Sequence, residues 1–113
     1  MIHLVFADRL VSTSDSRNQG LLVVWVEENQ QWEQVCRSNF SAPDAACRQL
    51  GFPEGGQLVP AGLKPDTYFS TGSLRFQCSG VDGEILSDCT TYFDNFCSYD
   101  QTVWLSCEYG QDK

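Results

Sequence analysis

Basic residues are scarce in this chain. Seven Lys+Arg stand against 15 Asp+Glu in 113 residues, giving a net charge of −8 and an isoelectric point near 4.3. A surface so poor in cations argues against a nucleic-acid partner held by phosphate neutralisation, and none is expected. The single histidine, His3, sits near the terminus, and the carboxylates are scattered through polar turns without a spacing that predicts a shared cleft. General acid–base and nucleophilic catalysis therefore lack their usual residues, and the chain is not expected to be an enzyme. Gly55-Gly56 follows a predicted helix and lacks the lysine and hydroxyl of a phosphate loop. The longest unbroken apolar run, residues 21–26, is six residues, too short to insert in a membrane. The N-terminus has no basic flank, apolar stretch and cleavage site in succession, so a secreted protein would carry this chain as an excised piece.

What the chain does have is cysteine. Cys36, Cys47, Cys78, Cys89, Cys97 and Cys107 are separated by ten, 30, ten, seven and nine residues. No C-x-x-C occurs and the histidine is remote, so the spacing does not suit structural zinc. An even count in a short acidic chain points to three disulfides and an oxidising compartment, with about 15 connectivities that spacing alone leaves open.

The coarse reading is α+β, a single domain over 1–113. An apolar opening strand is expected before residue 12, followed by a polar, turn-forming stretch over 12–20. The β-branched and aromatic residues 21–26 and the segment WEQVC form a hairpin joined by the five residues EENQQ. One α-helix is predicted over about 41–51, with Ser41 as N-cap, Asp44 as acidic partner, Pro43 in the first turn and Gly51 at C′. Residues 52–72 read as loop with a short strand QLVP, and SLRFQC as a strand with Leu74, Phe76 and Cys78 on one face. EILSDC gives one short helical turn. Residues 90–100 read as an aromatic, acidic loop and 102–107 as a closing strand. Trp25, Trp32 and Trp104 are expected in the core.

Arg9-Leu10-Val11, Gly20 opening an apolar strand, Trp32 four residues before Cys36, DAACRQLG around Cys47, and SLRFQCSGVDGEILSDC together resemble the scavenger receptor cysteine-rich (SRCR) domain, from about 9 to 107. Phe52 stands where an eight-cysteine member has a cysteine, so the likeness is to the six-cysteine class. It implies a curved antiparallel sheet cradling one helix, with disulfides Cys36–Cys97, Cys47–Cys107 and Cys78–Cys89. Relatives often hold a divalent cation at the positions that here are Arg37, Ser38 and Gln101. A guanidinium in place of a carboxylate implies that this site is lost and that no metal or cofactor is needed. Arg37 and Asp100 are expected to form a surface ion pair instead.

Residues 78–113 carry seven acids and one base, against eight acids and six bases in 1–77. Tyr92, Phe93, Phe96 and Tyr99 crowd into the same region beside Asp94 and Asp100 and are divided between interface and core roles. Asn39-Phe40-Ser41 is a glycosylation sequon. The expected function is a non-catalytic extracellular recognition module, one unit of a larger receptor or secreted protein. It would bind a protein partner, preferentially a basic one, through Tyr92, Phe93, Asp94, Phe96, Tyr99, Asp100, Gln101 and Arg37. The alternative is an ancillary domain positioning an enzyme such as a protease or oxidase. A disulfide-rich inhibitor would need an exposed rigid loop with a specific anchor, and the sequence singles out none.

Overall fold

A computed structural model describes residues 8–11, 18–28, 30–37, 40–61, 70–93 and 96–109. Seven strands form one sheet: β1 (Asp8–Val11), β2 (Gln19–Val26), β3 (Gln31–Val35), β4 (Gly56–Val59), β5 (Ser70–Gln77), β6 (Thr90–Phe93) and β7 (Trp104–Cys107). The order across the sheet is β4-β7-β2-β3-β5-β6, and β1 also pairs with β2. A single helix, α1 (Pro43–Gln49), lies against one face, and 3₁₀ turns span Leu86–Asp88 and Tyr99–Gln101.

β2 is the axis of the sheet because it is buried on both faces. Leu22, Val24 and Val26 point into the main core with Val35, Leu74, Leu105 and the Ala45-Ala46-Cys47 face of α1. Leu21 and Val23 point the other way, into a smaller cluster with Trp104, against which Trp32, Val59 and Ala61 pack. Two-sided burial is why this strand reads as a continuous apolar run without alternation. β1 and β7 both run antiparallel to β2, with Val11 and Trp104 each opposite Leu21.

The three disulfides are those the resemblance implies: Cys36–Cys97, Cys47–Cys107 and Cys78–Cys89. The first two close loops with sequence separations of 61 and 60 residues. In the chain-entropy account each stabilises by roughly 4 kcal/mol, although overlapping loops do not add.

Several expectations need correction. The sheet is mixed, because β3 pairs with β5 in parallel; the long crossover through α1 and β4 makes that direction available. Helix α1 starts at Pro43 with Ala42 as N-cap and no side-chain cap bond, so Ser41 lies one residue too early. Pro at the first helical position sets that start. Asp44 instead reaches out of the helix to accept a hydrogen bond from the Gly56 N–H at 2.9 Å. The helix ends as expected: Gly51 has φ +98°, its N–H donates to Arg48 O, and the Phe52 N–H donates to Cys47 O, the bonding pattern of a Schellman turn.

Residues 90–93, expected as loop, form β6, and the β2–β3 connection is one residue shorter than expected. Trp104 is buried, but Trp25 and Trp32 are half-buried partners across the hairpin, packed edge to face with centroids 5.6 Å apart.

The backbone leaves no room for a side chain at Gly56, where β4 begins beside both the helix and β7. A Cβ there would collide with Ser106 O, lie 2.5 Å from Cys47 Sγ and lie 2.8 Å from Cys107 Cα. Gly56→Ala is therefore expected to lower unfolding stability by about 1–3 kcal/mol, the usual cost of overpacking. Urea denaturation with the disulfides intact measures it, and an unchanged midpoint would mean that the helix can retreat freely from the sheet.

Candidate recognition surface

β6 is an edge strand, and its register with β5 sets Leu74 opposite Phe93, Arg75 opposite Tyr92 and Phe76 opposite Thr91. Phe93 and Thr91 thus share a face with the core residues Leu74 and Phe76, and Tyr92 lies on the other face. At the sheet margin neither face is fully covered. Tyr92 is 39% exposed, Phe93 41% and Phe96 73%, so these three aromatics belong to the surface. Tyr99 opens the second 3₁₀ turn and is described by its backbone alone. His3, Ser38, Asn39 and Asp94 lie outside the described residues.

The segment after Phe96 is tied to the sheet at a covalent corner. Cys97 bonds Cys36, Cys36 bridges to Thr102, and the Arg37 N–H donates to Gln101 O at 2.7 Å. The structure therefore brings Arg37 and Gln101 together, with Asp100 exposed beside them. The expected Arg37–Asp100 ion pair is not formed among the described residues. The Arg37 guanidinium turns towards β4 and donates to Val59 O at 3.2 Å, and the Asp100 carboxylate accepts from Ser98 Oγ. A carbonyl within reach satisfies the guanidinium without ordering two exposed side chains. A cationic side chain at 37 and an amide at 101 are a poor donor set for a hard divalent cation, which wants clustered carboxylate oxygens.

A second feature, which sequence reasoning missed, lies between α1 and the loop after Cys78. A cavity of about 300 Å³ is walled by Asp44, Arg48, Ser79, Asp82 and Glu84 among others. It shares Ser41 and Cys78 with a neighbouring cavity of about 400 Å³ that is otherwise lined by Phe76, Gln77 and Tyr92. Glu84 organises this loop. Its side chain is buried, and its carboxylate accepts from the Ser79 N–H (3.0 Å), Ser79 Oγ (2.9 Å) and the Gly80 N–H (2.9 Å). Arg48 holds the Glu84 main chain, donating to its carbonyl at 2.9 Å.

The two backbone N–H donors, assisted by the Ser79 hydroxyl and the Arg48 charge, hold the Glu84 carboxyl below its ordinary range against the opposing effect of burial. Cys78 and Cys89 sulfurs converge with this carboxylate, but both are spent in their disulfide and cannot ligate a metal as thiolates. Nothing periodic in SGVDGE marks Glu84. The readable signal is an acid inside a turn bracketed by two cysteines.

Comparison with known proteins bears on this geometry. A family model described as the scavenger receptor cysteine-rich domain matches residues 12–108. The mouse (Mus musculus) protein "CD5 antigen-like" is 28% identical over 90 residues, covering 75% of this chain and 25% of its own length. The chain thus spans about a quarter of that relative. The third SRCR domain of murine neurotrypsin superposes with a TM-score of 0.66 at 24% identity, covering 94% of this chain and 99% of that one. At that identity the likeness is one of fold.

Glu84 generates a pH-dependent expectation. Its folded-state pKa lies below its unfolded value, so its stabilisation is fully present above the ordinary unfolded glutamate pKa and is lost as pH falls through the depressed folded value. Glu84→Gln should therefore unfold at a lower temperature than the parent at pH 7, with the two melting curves converging in strong acid. A gap that persists undiminished at the acid end would show that charge is not what Glu84 contributes.

Proposed function

Because the chain belongs to the scavenger receptor cysteine-rich family, we propose that it is a non-catalytic recognition module that binds a basic protein partner through the aromatic, acidic margin formed by β6 and residues 96–101. Domains of this family are extracellular protein-binding modules of receptors. The observation that carries the reading is the exposure of Phe93 and Phe96 in a stretch, 78–109, that contains no lysine or arginine. Rigid aromatic bodies bury area at low entropic cost and supply affinity, and the acids around them steer a basic partner and repel polyanions. The Cys36–Cys97 bridge supports this division of labour by anchoring the display segment to β3. The proposed module works as one unit of a larger extracellular protein and needs no divalent cation, since Arg37 occupies the position where relatives carry a carboxylate.

Two outcomes test it. In a binding screen of basic extracellular proteins, Phe96→Ser should raise the dissociation rate and Asp100→Lys should slow association, the latter effect shrinking as salt is added. On-rates unmoved by Asp100→Lys would remove charge steering. Millimolar calcium should leave the melting temperature of the domain unchanged, and a rise of several degrees would reveal a working cation site.

A further inference from the structure

Three strands of the sheet have an unpaired edge among the described residues: β1, β4 and β6. Exposed edges are hazards that proteins usually blunt with charge, proline or a covering element. β1 carries Asp8 and Arg9, while β4 is followed by Pro60 and is tied to α1 through the Asp44–Gly56 hydrogen bond. β6 has no such device within the strand itself, its nearest charges being the flanking acids Asp88 and Asp94 in the sequence. Its sequence is Thr-Thr-Tyr-Phe, uncharged and of high strand propensity, with Thr90, Tyr92 and Phe93 exposed.

The geometry points to β6 as a template for strand addition, on which an extended, basic segment of another protein pairs main chain to main chain. This rests on the recognition reading above and states how the partner binds. Outward N–H and C=O groups of an edge strand supply sequence-independent affinity, and alternate side chains of the added strand find the two faces. On one face the added strand would meet Thr91 and Phe93. Tyr92 leads to the cavity of about 400 Å³ shared with Ser41, Phe76 and Gln77, whose mainly polar lining suits a side chain such as threonine. Charge selects the occupant. Asp88 precedes the strand and no cation lies between 78 and 109; Arg75, opposite Tyr92 on β5, is half-buried on the inner side of β6, so lysines or arginines flanking the added strand are favoured. A second copy of this chain, itself at −8, brings like charge to the same edge and is disfavoured.

The test is an NMR titration of the disulfide-bonded domain with acetyl-RKVTVTVKR-amide, the same peptide N-methylated along its centre, and acetyl-EEVTVTVEE-amide. The basic peptide is expected to shift the Thr90, Thr91, Tyr92 and Phe93 amides and slow hydrogen exchange at the outward ones. The N-methylated peptide should bind roughly tenfold more weakly, because it keeps charge and side chains but loses donors. Equal binding of the two basic peptides overturns strand addition and leaves the acidic, aromatic recognition reading standing. Equal binding of the acidic peptide overturns the basic partner in both. No shift at β6 with millimolar basic peptide overturns strand addition. Concentration-dependent protection of β6 without peptide makes the occupant a second copy and overturns the proposed partner.

Discussion

The fold depends on how closely α1 approaches the sheet. Helix and strand backbones come near enough for Cys47 to bond Cys107, and the space left at Gly56 holds no side chain. The approach is possible because the helix offers Ala45, Ala46 and Cys47 where a larger residue would hold it off. The Schellman turn at Gly51 ends the helix after seven residues and sends the chain into β4 beside the same contact. Asp44 completes it from the helix's first turn by taking the Gly56 N–H. With the helix fixed, the inner halves of β2, β5 and β7 have a surface to pack on, and the rest of the sheet extends beyond it.

That extension is where the exposed aromatics gather. β6 projects past the helix, so its aromatics share a face with core residues yet stay in solvent. The Cys36–Cys97 bridge and the hydrogen bonds from Arg37 to Gln101 O and to Val59 O knit β3, the 3₁₀ turn and β4 into one corner. The exposed Phe96 is the residue immediately before this bridge, which limits the entropy it can lose on meeting a partner.

Local features were the readable ones. Gly51 at C′, the apolar β2, the strand SLRFQC and the turn 86–88 follow from short-range chemistry; β2 and β5 start two and three residues earlier than the sequence reading places them. The disulfide partners came from resemblance, since spacing left them open. What stayed hidden depends on distant neighbours. Thr-Thr-Tyr-Phe becomes a strand because β5 is beside it, and β3 pairs in parallel because a crossover returns the chain to it. Glu84 becomes a structural acceptor because Ser79 and Gly80 turn their N–H groups inward. Arg37 forgoes Asp100 because Val59 O, 22 residues away, lies within reach. Except at Glu84, whose donors lie four and five residues upstream and are hidden only by the way the turn orients them, the deciding atom is absent from the local window.

The strands by which the chain enters and leaves lie end to end along β2. β1 passes from Val24 to Leu21, and β7 continues from Leu21 past Gln19 in the same direction. In a longer polypeptide, load applied at Asp8 and at Ser106 would act at opposite ends of the paired part of β2, roughly 17 Å apart. Tension along such a polypeptide would load the β1–β2 and β2–β7 ladders in shear, every hydrogen bond sharing the force. It would meet the covalent tie at Cys107 before reaching the helix. A unit so loaded would behave mechanically as a rivet in series, passing force from β1 to β7 through β2 while β6 stays out of the line of load.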